Sequence, residues 1–278
     1  MRNKYLVLGS SGQIGAFLVN FLQSNGHSVE TFDIVDGDVY DLRTTSNNLL
    51  EKKIIESDFV FFLAFDVGGS RYLAKYQDTF EFLQNNIKIM SNTFDLLKKH
   101  NKKFIFTSTQ MANMSYSSYG LLKSIGEKCT ESIGGLVVKL WNVYGAERDY
   151  DKSHVITDFI VKAQTQGNID MISDGTEERQ FLYVEDCCEC FLTLAESYDT
   201  LLKNREYDIS SFKWNSIMQI ASIVASNFDN VKITPSCKKD NIQQNKKNEP
   251  SDYILNFWKP KTDINDGIKK IIKEMKNG

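Results

Sequence analysis

Tyr119 and Lys123 are the two residues whose types and spacing point most directly to chemistry. They are four residues apart in a helical pattern, which places both side chains on one face of a helix. A lysine cation beside a phenol stabilises the phenolate, so the pKa of the tyrosine falls and it can act as a general base near neutral pH. Thr109 follows the preceding strand, and its hydroxyl can hydrogen-bond the same substrate oxygen. Because this spacing also arises by chance in many helices, the interpretation depends on the elements around it.

A glycine-rich turn near the N-terminus supplies that context. An apolar strand at residues 5–8 enters the turn, and a helical pattern at residues 16–22 leaves it. Gly9 permits the turn, Gly12 lets phosphates approach the backbone, and Gly15 lets the helix lie close to the sheet. Unpaired N–H groups and the positive dipole end of the helix then form a pyrophosphate site, although a tight turn without a ligand is the alternative. The predicted contacts are Gly9, Ser11, Gly12, Gln13, Ile14 and Gly15.

The second strand indicates which dinucleotide binds. The apolar stretch at residues 27–32 ends at Asp33, where an acidic residue reaches the adenosine ribose hydroxyls. A carboxylate there repels the extra phosphate of NADP, so the predicted cofactor is NAD. The following loop offers two aspartates that can hold the adenine ring, each followed by an apolar residue. We favour the pair Asp41 and Leu42 over the pair Asp38 and Val39.

The next segments predict an α/β fold with a doubly wound parallel sheet, the Rossmann arrangement. Residues 58–65 are apolar without alternation, as in a strand that is covered on both faces. A helix predicted at residues 77–100 contains Asn86 near its middle, which is either a ligand contact or a satisfied core amide. The apolar residues that we expect this helix to bury are Phe80, Leu83, Ile87, Met90, Phe94 and Leu97.

Composition argues against several classes of protein. The chain has 278 residues, a formal net charge of −3 and a pI of about 5.7, and no basic block suggests nucleic-acid binding. Its apolar runs are too short to cross a bilayer and its N-terminus is a strand, which predicts a cytoplasmic protein without a membrane partner. Cys187, Cys188 and Cys190 lack a second pair of ligands, so we predict buried thiols and no metal.

Together these motifs resemble the extended short-chain dehydrogenase/reductase family, specifically the NAD-dependent epimerase/dehydratase group that acts on nucleotide sugars. The similarity covers nearly the whole chain. It includes the glycine turn at residues 9–15, residues 63–65, residues 107–109, Tyr119 with Lys123, residues 138–145 and residues 173–186.

The resemblance implies further ligand contacts. Those to the cofactor are Leu63, Ala64, Phe65, Asn86, Thr107, Trp141 and Val143, in addition to Tyr119 and Lys123. Those to the substrate are Gly68, Thr109, Gln110, Asn142 and Arg179. Asn142 is expected to bind the substrate diphosphate, and Arg179 to clamp it through a bidentate guanidinium. A surface salt bridge with Glu177 or Glu178 is the alternative for Arg179, and Asp186 is expected to cap a helix.

Departures from the family pattern narrow the chemistry. The family's 4,6-dehydratases carry an Asp-Glu pair directly after the active-site threonine, where this chain has Gln110 and Met111. Neither can move the required protons, so we predict no dehydratase activity. Members that epimerise at C3 and C5 use a cysteine in this loop, and none lies between residues 104 and 119. Lys139 and Gln180 replace the usual Arg and Asp, which affects details of the substrate rather than the class.

Hydride transfer at C4 of the sugar is the chemistry that is left. We expect Tyr119 to remove the proton of the C4 hydroxyl while hydride passes to NAD. Thr109 holds the oxygen, and Lys123 anchors the ribose and tunes Tyr119. The predicted function is an NAD-dependent nucleotide-sugar 4-epimerase. The alternatives are a C4 dehydrogenase or 4-keto reductase, and a non-catalytic NAD-binding regulator.

The predicted organisation has two parts. Residues 1–145 form the dinucleotide-binding domain, to which later segments return, and residues 146–278 mainly form a smaller C-terminal α/β substrate lobe. The polar segment at residues 236–251 is predicted to be a mobile loop, and residues 264–272 resemble the family's closing helix. Relatives are commonly homodimers through the helices found here at residues 77–100 and 116–132. The resemblance also implies a bacterial surface-polysaccharide pathway.

Overall fold

A parallel β-sheet forms the centre of the chain, and the computed structural model describes residues 2–147, 149–203, 205–239 and 248–277. The strands are Lys4–Leu8 (β1), Ser28–Phe32 (β2), Phe59–Phe62 (β3), Phe104–Thr109 (β4), Leu136–Leu140 (β5), Val143–Tyr144 (β6), Asn168–Asp170 (β7), Glu178–Gln180 (β8), Leu182–Tyr183 (β9), Glu206–Ile209 (β10), Trp214–Ser216 (β11) and Lys232–Thr234 (β12). Six of them make the central sheet in the order β10-β5-β4-β3-β1-β2, and every pairing is parallel.

Helices cover both faces of this sheet. They are Gln13–Ser24 (α1), Asn48–Glu56 (α2), Ser70–Tyr76 (α3), Phe80–Lys99 (α4), Ser118–Ser132 (α5), Val155–Gln166 (α6), Val184–Glu196 (α7), Ile217–Ala225 (α8) and Ile264–Asn277 (α9). Alternate residues of β1 enter different cores: Tyr5 and Val7 pack with α1 and α7, and Leu6 and Leu8 pack with α2 and α4. The predicted doubly wound α/β fold is therefore confirmed.

The strand order creates one crevice that a ligand can enter. β1 has β2 on one side and β3 on the other, so the connections after β1 and β3 leave the sheet in opposite directions. Ligands of doubly wound sheets bind at this reversal, outside the carboxyl ends of the strands. The glycine turn follows β1, and residues 63–65 follow β3. Both predicted cofactor segments thus lie at the crevice.

The second half of the chain builds a smaller layer and also returns to the sheet. β7 pairs with β12, β8 pairs with β11, and β6 pairs with β9, each as a two-stranded sheet. β10, although it comes from this half of the chain, is an edge strand of the central sheet and pairs with β5. The predicted boundary at residue 145 stays a prediction.

The burial of α4 corrects one expectation. Phe80 and Ile87 are 68% and 52% exposed, whereas Phe82, Met90 and Phe94 are buried. The helix begins at Phe80, with Thr79 as its N-cap, rather than at residue 77. Apolar spacing therefore identified the helix but included two residues of its outer face, because a helix with two apolar stripes does not reveal which one packs on the sheet.

Asp186 is structural, but it is not a helix cap. Tyr183 holds the N-cap position of α7, and Asp186 lies in the first helical turn. Its carboxylate accepts hydrogen bonds from the backbone N–H groups of Lys261 and Thr262, at 3.1 and 2.8 Å. Asp186 therefore fixes the chain just before α9, the predicted closing helix.

Three further expectations concern buried thiols, membranes and the polar loop. Cys187, Cys188 and Cys190 are completely buried on α7, and no cluster of metal-ligating side chains occurs among the described residues. None of the helices in the described ranges combines the length and apolarity needed to span a membrane. Residues 240–247 of the predicted mobile loop lie outside the described residues.

Candidate active site

The glycine turn has the steric form that the sequence predicts. Gly9 has a φ of +83°, and a Cβ there would lie 2.7 Å from the backbone nitrogen of Ala64. A Cβ on Gly15 would lie 2.0 Å from the carbonyl oxygen of Gly9. A side chain at either position would therefore force apart the turn, α1 and the segment after β3. Close backbone contact is what these two glycines provide.

Gly12 differs from these two glycines, and the difference fits a phosphate-binding role. Its φ is −67°, and a Cβ there would meet only the Gly9 carbonyl oxygen, at an ordinary 3.5 Å. The protein itself therefore leaves space in front of Gly12, at the N-terminus of α1. Within the described residues, the side-chain amide nitrogen of neighbouring Gln13 is buried without a hydrogen-bond partner. Open space, an unpaired donor and helix N–H groups together suit a dinucleotide phosphate.

Asp33 joins the second strand to the glycine turn. One carboxylate oxygen accepts from the backbone N–H of Ser11 at 2.9 Å, and the other accepts from Val35 at 3.2 Å. Each oxygen keeps lone pairs for a ribose hydroxyl. The structure thus places Asp33 beside the turn, as the prediction of NAD requires.

The loop after β2 shows different environments for the two candidate adenine-binding pairs. Asp41 makes a bidentate contact with the Arg43 guanidinium at 2.8–3.1 Å, which lowers the pKa of Asp41, and Leu42 is buried. Val39 is 62% exposed. Our preference for Asp41 and Leu42 stays a prediction.

Asn86 holds the loop after β3. It is completely buried, and its side-chain oxygen accepts from the Asp66 backbone N–H at 2.8 Å. Its nitrogen donates to the carbonyls of Asp66 and Phe82 at 3.1 and 3.0 Å. These contacts fit the interpretation as a satisfied core amide, and a contact of Asn86 with the cofactor stays a prediction.

Thr109, Tyr119 and Lys123 meet at the end of β4. The Thr109 hydroxyl lies near the Tyr119 phenol, and the Lys123 ammonium donates to the Thr107 carbonyl at 2.7 Å. Gly120 makes this possible, because a Cβ there would lie 2.1 Å from the carbonyl oxygen of Met111. The need for glycine directly after Tyr119 was missed from the sequence.

The electrostatics of this group correct the expected activation of Tyr119. Burial raises the pKa of Tyr119, and the nearby Thr109 hydroxyl only partly opposes this effect. Burial also lowers the pKa of Lys123 to about 7, against a smaller opposite effect of Glu127. The protein groups alone therefore do not lower the pKa of Tyr119. Desolvation is stronger here than the attraction of a neighbouring cation.

Phe65 connects the cofactor turn to the catalytic group. Its ring centroid is 3.8 Å from the Lys123 ammonium and 5.7 Å from the Tyr119 ring. The preceding residue, Ala64, is the one that Gly9 contacts. Cation–π contact favours the charged form of Lys123 and opposes part of the burial cost. One short segment thus contacts both the glycine turn and the Tyr119–Lys123 pair.

A buried ionic network supports the same strand end. Lys139 lies 2.6 Å from a carboxylate oxygen of Glu206 and 3.5 Å from one of Glu127, which in turn accepts from the Ser108 hydroxyl. Lys139 and Glu127 are 2% and 3% exposed. Lys139 therefore fills the position of the family's usual arginine as the centre of this network.

A cavity that is partly open to solvent lies beyond the end of β5 and is lined by residues of α3, β6 and α6. The predicted substrate residues Asn142 and Arg179 both line it. Asn142 has a φ of +33° and forms the bend between β5 and β6, a conformation that asparagine tolerates better than most residues. Arg179 is buried and donates to the Glu178 carbonyl at 2.8 Å. Tertiary structure thus brings together two residues that are far apart in the chain.

His154 and Glu147 form a contact in this cavity wall that the sequence analysis missed. His154 lines the cavity, and its ring Nδ1 is 2.7 Å from a carboxylate oxygen of Glu147. The other oxygen of Glu147 accepts the His154 backbone N–H at 2.8 Å. A histidine directly before the apolar pattern of α6 was the available signal.

The other predicted contacts have mixed environments. Trp141 is buried and its indole N–H donates to Asp208 at 2.9 Å, while the Thr107 hydroxyl donates to the Phe62 carbonyl at 3.2 Å. Gln110 is buried beside the catalytic group. The buried Gly68 packs on Tyr72, outside the residues that line the cavity. The ligand contacts of these residues stay predictions.

Comparison with solved structures finds the same fold in other proteins. A UDP-glucose 4-epimerase from Thermotoga maritima, solved with UDP-glucose, aligns at a TM-score of 0.81 with 21% identity and 99% coverage of both chains. A GDP-6-OMe-4-keto-L-xylo-heptose reductase from C. jejuni aligns at a TM-score of 0.84 with 18% identity, over 99% of this chain and 98% of its own. At these identities the likeness concerns the fold.

Sequence comparison adds the family. UDP-glucuronic acid decarboxylase 1 from Arabidopsis thaliana is 21% identical over 99% of this chain and 70% of its own. The model of the NAD dependent epimerase/dehydratase family matches residues 5–210, which include the glycine turn, Asp33 and the Tyr119–Lys123 pair. The chain therefore belongs to the NAD dependent epimerase/dehydratase family, and its cofactor is NAD.

Proposed function

We propose that this enzyme is a nucleotide-sugar 4-epimerase that works by reversible hydride transfer at C4 of the sugar. The observation that carries the proposal is the meeting of Thr109, Tyr119 and Lys123 at the end of β4, joined to the glycine turn through Phe65. NAD, when bound, supplies the hydride acceptor and later the donor. The protein has to supply the base, the hold on the sugar oxygen and the binding of the nucleotide.

Tyr119 provides the base. Its phenolic oxygen takes the proton of the C4 hydroxyl as the C4–H hydride leaves, so that a ketone forms at C4. The Thr109 hydroxyl, which lies near Tyr119, holds the same oxygen. Lys123, whose ammonium donates to the Thr107 carbonyl at 2.7 Å, would bind the ribose hydroxyls of NAD and, when charged, favour the phenolate.

The neighbouring residues argue against elimination. Gln110 and Met111 directly follow Thr109 and are both buried. An amide and a thioether are not general acids or bases, so the site lacks a pair of groups for removing water from C5 and C6. The ketone at C4 is therefore returned to an alcohol, and epimerisation follows if the hydride returns to the opposite face.

The cavity beyond the end of β5 is proposed to hold the nucleotide diphosphate. Arg179 can present parallel N–H groups to phosphate oxygens, and Asn142 adds an amide at the bend after β5. The relatives' names include UDP-linked and GDP-linked sugars, so both enter the test.

The experiment combines ligand binding with product analysis. Purified protein is denatured and assayed for released NAD, and a thermal-shift panel of UDP-, GDP-, dTDP- and CDP-sugars, with UDP-glucuronate included, identifies the nucleotide. NMR of the product then distinguishes inversion at C4 from a stable ketone or loss of CO₂. Inversion at C4 supports the proposal. A ketone formed together with an equal amount of NADH indicates a C4 dehydrogenase, and consumption of NADH by a 4-keto sugar nucleotide indicates a reductase. Absence of binding by every panel member contradicts the function altogether.

We also propose that two copies associate through α4 and α5. Phe80 and Ile87 on α4 and Leu121 and Ile125 on α5 are 47–68% exposed, an unusual amount of apolar surface for two packed helices. These are the helices through which the resemblance implies dimers. A cytoplasmic setting in surface-polysaccharide synthesis stays a prediction.

Light scattering during gel filtration tests the association. Ile125→Glu is expected to convert the dimer to a monomer, because a buried unpaired carboxylate is costly. Leu202→Glu, at an exposed leucine away from both helices, is the control and is expected to stay dimeric. A monomeric parent protein, or a dimeric Ile125→Glu variant, would contradict this interface.

A further inference from the structure

His154 and Glu147 form a histidine–carboxylate pair with one free ring nitrogen inside the substrate cavity. The His154 side chain is 42% exposed, whereas that of Glu147 is 7% exposed. Glu147 accepts two N–H groups of the same residue, from the backbone at 2.8 Å and from Nδ1 at 2.7 Å. The histidine is thus the part of the pair that a ligand can reach.

This arrangement fixes the orientation and tautomer of the ring. A carboxylate offers only acceptors, so the contact requires a proton on Nδ1. Nε2 then lies on the opposite side of the ring, and no contact in the described part of the chain uses it. Nε2 becomes a second donor when the imidazole is protonated.

The position of His154 links two predicted substrate segments. A Cβ on Gly69 would lie 3.3 Å from the His154 Cα, and the Gly69 N–H donates to the Lys152 carbonyl at 2.9 Å. Gly68, directly before Gly69, is a predicted substrate contact, and His154 shares its cavity with the predicted contacts Asn142 and Arg179. His154 therefore lies among residues that are predicted to contact the substrate.

Charges around His154 are largely balanced within the protein. Arg71 lies 2.8 Å from Asp158, one turn along α6, and Lys152 lies 3.7 Å from Asp66. The buried Glu177 accepts from Ser173 at 2.9 Å. The titratable or charged groups near the ring are Glu147, Asp158, Arg71, Lys152, Glu177 and Arg179. Because the lysine and Arg71 are already paired, a dianionic ligand benefits from the additional donor on His154.

We propose that His154, oriented by Glu147, is a substrate-binding residue that donates from Nε2 to a diphosphate oxygen of the nucleotide sugar. This inference rests on the proposed nucleotide-sugar function. The interaction requires the protonated ring, since only that form carries a proton on both nitrogens. Glu147 acts through His154 and is a positioning residue.

Calorimetric titration tests the contact with defined probes. UDP-, GDP-, dTDP- and CDP-glucose are first compared, and the one that binds most tightly is used. The second probe is the free nucleoside of that compound, which lacks both phosphates. His154→Ala is expected to weaken the sugar nucleotide about tenfold, the effect of one charge-assisted hydrogen bond, and to leave nucleoside binding unchanged. His154→Gln retains an N–H donor, so it is expected to recover part of the loss, and it carries the comparison if the alanine variant does not fold.

The pH dependence separates charge from simple packing. Affinity of the parent protein for the sugar nucleotide is expected to be higher at low pH than at high pH, because only a protonated ring donates from Nε2, and both His154 variants are expected to lose this slope. Glu147→Gln is expected to weaken binding of the sugar nucleotide and not of the nucleoside, because the ring loses the carboxylate that holds its Nδ1–H.

A matched control uses the second histidine–glutamate pair of the chain. His100 Nε2 lies 2.7 Å from a Glu51 oxygen at the end of α4, away from the residues that line the cavity. His100→Gln is expected to change neither affinity nor its slope. Unchanged binding by His154→Ala, or an equal loss for the nucleoside, overturns the inference and leaves the proposed function standing. If no probe binds the parent protein, the proposed function fails and this inference fails with it.

Discussion

The glycine turn and the cavity lined by Asn142 and Arg179 differ in construction, although both are proposed to bind phosphate. In the turn, two backbone segments are in close contact, since a Cβ on Gly15 would lie 2.0 Å from the Gly9 carbonyl oxygen. Gly12 leaves open space at the N-terminus of α1. In the cavity, charged side chains already have partners, such as Arg71 with Asp158 and His154 with Glu147. A ligand at the turn occupies space that the backbone leaves open, whereas a ligand in the cavity competes with ion pairs and hydrogen bonds that already exist. Changes in the turn and at the catalytic group should therefore have larger effects than changes in the cavity.

Tyr119→Phe is expected to have the largest effect. The variant keeps the ring that packs on Phe65 but loses the oxygen that accepts the proton, so turnover should fall about 10³-fold. NAD content and the melting temperature should stay close to those of the parent. Single-turnover formation of NADH with the identified sugar nucleotide measures the loss. Near-normal turnover would remove Tyr119 from the mechanism.

Lys123→Met tests the cost of burying the catalytic amine. Its pKa of about 7 in the folded chain lies below the ordinary 10.5, so the unfolded chain binds more protons between these values and stability rises with pH across that range. Below about pH 7 both states are charged, and the folded state bears the full cost of burial. The variant should therefore unfold with a free energy up to about 4 kcal/mol higher near neutral pH, and this gain should shrink toward alkaline pH.

Urea unfolding of the cofactor-free protein at several pH values measures this difference. Lys128→Met, on the exposed side of the same helix, is the control and should show no comparable gain. A gain that does not depend on pH would show that the amine is not desolvated as the structure indicates.

Substitutions in the glycine turn distinguish packing from ligand binding. Gly15→Ala should destabilise the protein by about 2 kcal/mol, because its methyl group collides with a carbonyl that cannot move freely. Gly12→Ala should leave stability unchanged, since its methyl group meets only one atom at 3.5 Å. It should nevertheless weaken NAD binding about tenfold by filling the phosphate space. Denaturant unfolding and NAD titration of both variants provide the measurements, and equal behaviour of the two would refute the distinction.

Arg179→Lys is expected to have the smallest effect. Lysine keeps the charge but cannot form parallel N–H contacts with a diphosphate, so KM for the sugar nucleotide should rise about tenfold while kcat changes little. Arg205→Lys, at an arginine that stacks on Tyr253 away from the cavity, is the control. An unchanged KM would favour the alternative in which Arg179 serves only the protein.

Local patterns predicted the parts of the site that depend on neighbouring residues. The glycine spacing, the acidic residue after β2 and the four-residue interval from Tyr119 to Lys123 each act within one strand–turn–helix unit or one helical turn. The family match and the observed sheet confirm the fold and the cofactor that these patterns indicated. Asn86 shows the limit: its position on α4 was evident, but only packing reveals that its amide serves the loop at Asp66.

The sequence by itself determined the fold class, the cofactor and the identity of the candidate catalytic residues, because short-range sterics and helical spacing govern them. Tertiary structure alone decided which face of α4 is covered, the direction of the pKa shift of Tyr119, and the pairing of His154 with Glu147 in one cavity with Arg179. Burial and desolvation depend on the whole surroundings of a group, and these are assembled from segments that are far apart in the chain.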